Sequence, residues 1–368
     1  MAELVTLRVN GKEWSTWESV TLNDYFGEAL CSRFEATLSD SYRGDFAKAP
    51  IRRGDKYQLL LGGELRQTGY INKPSTGYGP NRHGIKLSGR DLTQDLVDCS
   101  STRAPGSWSN RKLESIASDI CAEFNIQVVA GDDTGNPISQ AALQVGDTPH
   151  QFLEKLCRSR NVWMVSTAAG QLTFAKASTV KLDNALVRGV NIEEADADLS
   201  DENRFSVYIG KGQQRGSDQL TPTAAAVVTG QVTDPAIKRH RPMIVQGEDQ
   251  QDGETLGDRL LNERNKRIGD SESAKIKVAG WRMKSGAQAG QVWPVNRLVP
   301  LVDDWLGLNV VYTIEQVQFT IAKEDNSAQL TLVPPAKFDI HASAAGAAKG
   351  LPSYSAIPDP SDPFPGVP

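Results

Sequence analysis

A two-residue alternation of apolar and polar positions dominates the first part of the chain. Residues 4–10 alternate strictly, and Asn10-Gly11 follows at once. Asn-Gly between two strand-like runs favours a tight hairpin, because both residues tolerate positive φ. Further short strands are predicted at Phe34–Leu38, Tyr57–Leu61, Leu65–Ile71 and Ile85–Gly89, with Pro74–Gly84 interpreted as a Gly- and Pro-rich loop. Six or so short strands at this spacing predict a small closed or nearly closed β-barrel over residues 1–98.

The stretch Gly89–Asp98 closes that predicted barrel and has two interpretations. In the first, Asp91 caps a short helix at Leu92–Val97, and Arg90 pairs with a carboxylate. In the second, Arg90 and Asp91 are catalytic residues. We favour the helix start, because no His, Cys or Ser nucleophile accompanies the pair.

Residues 99–176 change to a helical period, which predicts an α/β domain with two helices and a hairpin. Apolar residues recur every three or four positions in Asn110–Phe124, so one face of that helix is apolar. A strand is expected at Ile126–Ala130. The second helix begins at Thr148, where Pro149 suits the first turn and Gln151 completes a capping box. The hairpin is predicted to join Val162–Ser166 to Gln171–Phe174.

Strands return in the last half of the chain. We expect a second β-barrel from residues 177–235 and 292–336, interrupted by an insertion over residues 236–291. The insertion holds a long helix at Asp252–Ile268. Residues 337–368, rich in Ala, Gly and Pro, predict an extended tail. The predicted strands of the second barrel are Ile192–Ala197, Thr223–Val232, Val292–Val302, Val310–Ile321 and Ala328–Val333. The fold class is therefore α+β and mainly β, with two barrels.

Charge and cysteine content narrow the class of function. The net charge of −5 argues against a strongly DNA-binding surface. The basic cluster Lys238–Arg241, followed by Pro242, is interpreted as a surface turn or subunit contact. Four scattered cysteines without CxxC spacing indicate free thiols in a reducing compartment. Because neither a signal peptide nor a membrane-length apolar run is visible, we expect assembly in a cytoplasm and no membrane insertion.

Candidate chemistry is sparse. The sequence has no phosphate loop, dinucleotide fingerprint, HExxH motif or nucleophile elbow. Asp132-Asp133 lacks the ligand spacing of a calcium loop. Glu193-Glu194 are neighbours on a strand and would point to opposite faces, so they cannot converge on one sugar. We therefore expect no enzyme activity, no catalytic or metal-binding residues and no cofactor.

Two further functions stay open beside a structural role. An enzyme that degrades cell wall is suggested by the helix-hairpin unit in residues 99–176, which could bind glycan. A carbohydrate- or receptor-binding module is weakly suggested by Trp108, Trp163 and Trp305, and we favour core or interface positions for these side chains. Release of soluble fragments from peptidoglycan would identify the enzyme.

The order of these motifs resembles the baseplate hub proteins of contractile-tailed phages, particularly those of phage Mu and its relatives. The shared features are the hairpin at Asn10-Gly11, the Gly89–Asp98 stretch and the helix that contains Leu113–Ala117. Arg241–Ile244 before the long helix and the Trp293-Pro294 strand also match. The resemblance covers most of residues 1–336.

That resemblance implies a homotrimer in the tail baseplate of a virion. Each subunit would supply two similar barrels, so three subunits would form a ring of six. Such a ring would join a sixfold tail tube to a threefold spike and enclose the channel for the genome, which passes without specific binding. In type VI secretion, related hubs carry a fused needle. This chain is too short for one, so we expect the spike to be a separate polypeptide.

Overall fold

The computed structural model describes residues 4–27, 29–38, 51–79, 82–158, 160–212, 228–246, 256–323 and 325–338. Within these ranges, only the backbone is described for residues 78–79, 82–83, 212, 228–229, 246, 256 and 258. Three sequence predictions fall partly outside the description. They are the tail from residue 339 onwards, the start of the strand predicted at 223–232 and the start of the helix predicted at 252–268.

Seven antiparallel strands make up what we call the first module. They are β1 (Val5–Val9), β2 (Lys12–Trp14), β3 (Trp17–Tyr25), β4 (Arg33–Leu38), β5 (Lys56–Leu61), β6 (Glu64–Gly79) and β7 (Arg82–Asp91). Their order in the sheet is β3-β4-β7-β6-β5-β1-β2. Asn10 and Gly11 have φ values of 51° and 74°, as the predicted hairpin between β1 and β2 requires.

The prediction of a loop at Pro74–Gly84 is wrong for most of that stretch. β6 and β7 run through most of it as a long hairpin, with Pro74 in register with Leu87. The proline is compatible with a strand because β5 pairs only with Glu64–Tyr70, which leaves the other edge of β6 without a strand partner from Asn72 onwards in the described chain.

The α/β domain follows directly. Its elements are α1 (Gln94–Asp98), β8 (Ser107–Arg111), α2 (Leu113–Cys121), a 3₁₀ turn (Ala122–Phe124), β9 (Ile138–Ala142), α3 (Pro149–Arg158), β10 (Trp163–Ser166) and β11 (Leu172–Ala175). The predicted capping box is confirmed: Thr148 N–H donates to Gln151 Oε1 at 3.1 Å, and Gln151 N–H donates to Thr148 Oγ1 at 3.2 Å. The strand predicted at Ile126–Ala130 is reduced to a single bridge from Val128 to Leu172.

The second module repeats the β-rich pattern. It consists of β12 (Leu186–Val187), β13 (Ile192–Leu199), β17 (Glu272–Ala279), β18 (Leu298–Asp303), β19 (Leu308–Ala322) and β20 (Asn326–Val333). Their order is β13-β17-β20-β19-β18-β12. The strand predicted from Val292 begins only at Leu298, because Asn296 has a φ of 55° and interrupts the extended backbone.

The segment between β13 and β17 forms a separate small unit. It contains β14 (Val207–Gly212), β15 (Val228–Thr233), β16 (Pro242–Gln246) and α4 (Leu256–Asp270). The three strands make their own sheet, with β14 in the centre. Strand pairing therefore divides this region differently from the sequence expectation. β14 and β15 leave the second module, and β17 joins it by pairing with β13 and β20.

The two modules are joined into one 13-stranded sheet by the ladder between β3 and β19. Phe319 pairs with Leu22 in this seam, and both side chains are fully buried. Residues of both modules belong to one apolar cluster, so the modules share a core. The α/β domain has a second core, which includes the apolar faces of α2 and α3.

Regular ladders do not close either module on itself within the described residues. Local contacts cover the gap in both. In the first module, the Trp17 indole N–H donates to Val5 O at 2.9 Å. In the second, an isolated bridge joins Arg188 to Ile192. The fold is thus mainly β, with sheets that curl back towards their first strands.

Candidate interaction surfaces

Asp91 is the joint between the first module and the α/β domain. Its side chain is 1% exposed. One carboxylate oxygen accepts from Ser32 N–H at 2.7 Å, and the other accepts from Thr93 N–H at 2.9 Å and Thr93 Oγ1 at 2.5 Å. Burial raises the pKa of Asp91 from 3.8 to about 6 despite these donors. The carboxylate therefore fixes the β3–β4 connection to the start of α1.

The helix start is confirmed in outline and corrected in detail. Thr93, not Asp91, is the N-cap of α1, and the helix begins at Gln94. Arg90 does pair with a carboxylate, that of Asp98. Thr68 Oγ1 also donates to Ala168 O at 3.0 Å, which holds the β10–β11 turn against the first module. Arg90 and Asp91 thus have structural partners on both sides of the joint.

The other candidate carboxylates also serve local structure or face solvent. Asp132 Oδ2 accepts from Lys176 N–H at 2.7 Å, and Asp133 Oδ1 accepts from Gly135 N–H at 3.1 Å. A bulge in β13 leaves both Glu193 and Glu194 exposed, instead of placing them on opposite faces of a regular strand. Over the described residues, no group of three or more His, Cys, Asp or Glu side chains could hold a metal ion.

The basic cluster is divided between solvent and a stacked arginine. Lys238, Arg239 and His240 are exposed. Arg241 stacks on the Phe205 ring at 5.4 Å, and Arg267 of α4 lies 5.1 Å from the same ring centre. The Arg241 side chain therefore holds the small unit together, which leaves three basic residues as a surface turn.

The three tryptophans singled out by sequence differ sharply in exposure. Trp108 is buried, and its indole N–H donates to Asp119 Oδ2 at 3.0 Å. Trp163 packs edge-on against Phe338, with ring centres 5.4 Å apart. Only Trp305 of the three stands in solvent, with 80% of its surface exposed. The hypothesis that the α/β domain binds sugars by stacking them on exposed tryptophans therefore loses its main support.

A cavity of about 220 Å³ lies beside the end of β17. Asp183, Arg282 and Lys284 supply charge at its lining, and Trp293 supplies an aromatic wall. The Trp293 indole N–H is buried and has no hydrogen-bond acceptor among the residues that the structure describes. The mixed charges define no single class of ligand.

Two strand edges are the most extensive candidate surfaces, and the sequence did not indicate either as a binding edge. Apart from the isolated bridge at Ile192, β13 pairs only with β17 in the described structure, so its outer edge is free from Glu193 onwards. The C-terminal half of β6, from Asn72 to Gly79, is likewise unpaired on the side away from β7. Exposed strand edges are templates for pairing with another chain. No helix among the described residues is long and apolar enough to span a membrane.

Comparison with family models identifies three segments. Residues 4–91 match the N-terminal domain of the Mu phage baseplate assembly protein GpP-like family. Residues 93–176 match the second domain of the gp44-like baseplate hub proteins. Residues 254–341 match the fourth domain of Mu phage baseplate assembly protein GpP.

Individual relatives extend the match to most of the chain. The baseplate hub protein gp44 of Escherichia phage Mu is 30% identical over 308 residues, which covers 82% of this chain and 79% of that protein. The 43 kDa tail protein of prophage MuSo2 from Shewanella oneidensis superposes with a TM-score of 0.81 at 30% identity, covering 91% and 99% of the two chains. A tail protein from Neisseria meningitidis MC58 shares the fold, with a TM-score of 0.75 at 22% identity and coverages of 92% and 99%.

Proposed function

Since this chain belongs to the family of Mu-like phage baseplate hub proteins, a structural component of the virion tail, we propose that it acts as a homotrimeric ring of six β modules. The ring would join a sixfold tail tube to a threefold spike and line the channel for DNA. Each module would be a small β-barrel, completed by the local contacts that cover the gaps in its ladders. We propose no enzymatic activity for it.

The observation that carries this proposal is an internal duplication of topology. The six strands β1 and β3–β7 of the first module correspond in chain order to β12, β13 and β17–β20 of the second. Both sets have the same order across the sheet, β3-β4-β7-β6-β5-β1 and β13-β17-β20-β19-β18-β12. One difference is that β1 is antiparallel to β5, whereas the short β12 is parallel to β18.

Two β-bulges fall at matching places in the modules. One lies between Trp17 and Ser19 in β3 and recurs between Ile192 and Glu194 in β13. The other lies between Ile71 and Lys73 in β6 and recurs between Ile314 and Gln316 in β19. Bulges fix strand register, so they align the modules residue by residue.

The seam inside the chain then serves as a template for the contact between subunits. In that seam, β3 of the first module pairs with β19, the counterpart of β6. The counterpart of β3 is β13, whose outer edge is free. We therefore infer that β13 of one subunit pairs antiparallel with the free half of β6 in the next. By this alignment, Asp198 would lie opposite Ser75, Ala197 opposite Thr76 and Asp196 opposite Gly77.

Apart from Pro74, which has no N–H to donate to the new ladder, the residues at this junction are compatible with close pairing. Asp196 and Asp198 are exposed on β13, and they would meet only the small residues Gly77 and Ser75. Lys73, also exposed, would lie diagonal to Asp198, within reach of a long side chain. An acidic edge strand also deters pairing with the wrong partner before assembly.

The number of strands in a closed ring follows from the proposed trimer. The continuous part of the sheet from β13 to β6 contains eight strands, four from each module. Three subunits would therefore give about 24 strands around one axis, with six repeats from three chains. The face away from the core is polar on all eight strands. Examples in strand order are Asp196, Lys275, Thr331, Gln316, Thr21, Glu35, Ser88 and Lys73. Such a face, on a subunit with a net charge of −5, suits a channel that DNA traverses without being held.

The two ends of this sheet differ in symmetry. At one end lie the β6–β7 and β19–β20 hairpins, which both modules possess, so a trimer would present six of them. At the other end, β7 leads into the α/β domain, and β13 and β17 flank the small β14–β16 unit. Each of those units occurs once per chain. We propose that the hairpin end meets the sixfold tube and that the opposite end meets the threefold spike.

Disulfide trapping tests the ring and its register together. Ser75→Cys and Asp198→Cys, combined in a chain whose Cys31 and Cys99 are changed to Ser, should give covalent dimers and trimers on oxidation. Directly opposed residues have Cβ atoms about 4.5–5.5 Å apart, close enough for a small strand movement to form the bond. The matched control combines Asp198→Cys with Thr76→Cys, whose side chain lies on the other face, and it should cross-link poorly.

Light scattering of the unmodified protein completes the test. We expect the hub to contribute a mass of three times the 40.0 kDa of one subunit, whether it is measured alone or with the spike bound. A monomer that persists at high concentration with the spike present contradicts the ring. A trimer in which the control pair cross-links and the Ser75–Asp198 pair does not contradicts the assigned edges.

A further inference from the structure

The turn between β18 and β19 presents an exposed aromatic side chain in a fixed setting. Asp303 is 3% exposed, and its Oδ1 accepts from the N–H groups of Trp305 and Leu306, both at 3.0 Å. These two hydrogen bonds from the backbone of the turn to the buried Asp303 carboxylate rigidify the turn. Trp305 at its tip is 80% exposed, an unusual position for an indole in a protein with no need to bind through it.

A neighbouring arginine holds the Trp305 ring in place. Arg188 Nη1 donates to Asp304 Oδ1 at 2.9 Å, and the guanidinium lies 5.7 Å from the centre of the Trp305 ring. Through its hydrogen bond, Arg188 also lowers the pKa of Asp304. Val190, 64% exposed, follows closely in the chain. Tryptophan and arginine are the side chains most enriched at binding hot spots, and ordering them in advance reduces the entropy lost on binding.

The corresponding turn of the first module lacks this feature entirely. β5 and β6 are the counterparts of β18 and β19, and they are joined by Gly62-Gly63 with φ values of 57° and 87°. The second module instead has the four residues Asp304–Gly307 between the paired Asp303 and Leu308. In a ring of six modules, Trp305 would therefore occur three times, at alternate modules.

The position along the strands agrees with a threefold surface. Thr313 of β19 pairs with Val333, the last residue of β20, so the turn before β19 lies beyond the end where β20 finishes. That is also the end where β13 finishes and β17 begins, at the small unit found once per chain. The turn thus lies towards the end of the sheet that carries the α/β domain and the small unit, each found once per chain.

We propose that Trp305, with Arg188 and Val190, anchors a threefold-symmetric protein on the end of the ring that carries the α/β domain and the small unit. This inference rests on the proposed trimer. The partner would offer an apolar recess for the indole and a carboxylate or carbonyl oxygen for the unused guanidinium donors. A sixfold partner is disfavoured, because alternate modules would offer it two glycines in place of this surface. The matching occupant is the trimeric spike.

The experiment measures binding of the purified hub trimer to the spike protein and to the tail-tube protein encoded by the same phage. Trp305→Ala should leave the trimer intact and weaken spike binding by at least about tenfold, as hot-spot tryptophans do. Arg188→Ala should weaken it by a smaller factor. Val145→Ala, which trims a fully exposed apolar residue on the α/β domain, is the control and should change nothing. Tube binding should be the same in all variants.

The outcomes separate this inference from the proposed function. A wild-type protein that never forms a trimer overturns the ring itself. A Trp305→Ala trimer that binds spike with unchanged affinity overturns the anchor alone. If Trp305→Ala instead abolishes tube binding, or dissociates the trimer, the indole belongs to a sixfold or subunit contact and the assignment to a threefold partner is wrong.

Discussion

The buried carboxylate of Asp91 makes the stability of the joint between the first module and the α/β domain depend on pH. Its folded-state pKa is raised by burial to about 6, from an ordinary value of 3.8. The folded protein therefore binds a proton more tightly than the unfolded chain does. The associated stability is fully present below the unfolded pKa and is lost as the pH rises through about 6.

The magnitude follows from those two pKa values. Each pKa unit corresponds to about 1.4 kcal/mol, so the ionised joint at pH 7 is about 3 kcal/mol less stable than the protonated one. Between pH 7 and pH 5, linkage predicts a gain of about 1.3 kcal/mol from this group alone. Asp91→Asn removes the titration. It also places an amide N–H₂ against one of the donors, Ser32 N–H or Thr93 N–H, at a cost of about 1–3 kcal/mol.

Urea unfolding at pH 7 and pH 5, at one fixed subunit concentration, measures this effect. Taking the difference between wild type and Asp91→Asn at each pH cancels the contributions of the other carboxylates. The wild type should gain about 1.3 kcal/mol over the variant when the pH is lowered from 7 to 5. Equal pH dependence in the two proteins would refute the reasoning, and so would a wild type that loses stability relative to the variant.

Two further predictions concern core packing and thiol reactivity. Gly89→Ala should destabilise the first module by about 1–3 kcal/mol in a thermal melt, because the added Cβ would lie 2.7 Å from Phe34 Cε1 and 2.8 Å from Tyr70 O. Gly84→Ala is the control and should be near neutral in the same melt, because nothing lies within 4 Å of its added Cβ. Exposed Cys99 should react with a thiol reagent in the native protein. Burial raises the pKa of Cys121 to about 12, so Cys121 should react only in urea, and its rapid labelling in the native protein would contradict its burial.

Local signals in the sequence were sufficient wherever one short motif decides the structure. Asn10-Gly11 specified its hairpin, and Thr148 with Gln151 specified a helix start. The apolar faces of α2 and α3 were also predicted correctly, because a helical period over ten residues has few alternatives. Family membership was likewise indicated by motif order and is confirmed by the relatives.

Features that depend on distant strands could not be predicted in this way. Pro74 suggested a loop, yet the proline is tolerated because no strand pairs with that edge of β6 within the described chain. Asn296 stops a strand through its backbone conformation, which composition does not reveal. The free edges of β13 and β6 follow only from the pairing of the complete sheet.

The duplication was expected as two similar barrels, but its register was hidden because aligned positions carry unlike residues. Glu35 of β4 corresponds to Lys275 of β17, and Gly89 of β7 corresponds to Leu332 of β20. What the modules share is the alternation between a core face and a polar face, together with the places where bulges shift it. Such a pattern depends on which face of the sheet a residue lies on, so two modules can share it although their aligned residues differ.

In the proposed ring, the seam between the two modules of one chain and the seam between subunits differ in a way that suits the stage at which each one forms. Inside the chain, Phe319 meets Leu22, and both are fully buried. The aligned positions between subunits are Thr76 and Ala197, which are much smaller. The module seam forms as the chain folds, so large apolar residues there never face solvent. The subunit edges must remain in water until assembly, where a free Phe–Leu edge would favour aggregation. We therefore expect subunit pairing to depend on concentration and on bound partners, whereas module pairing persists for as long as the chain stays folded.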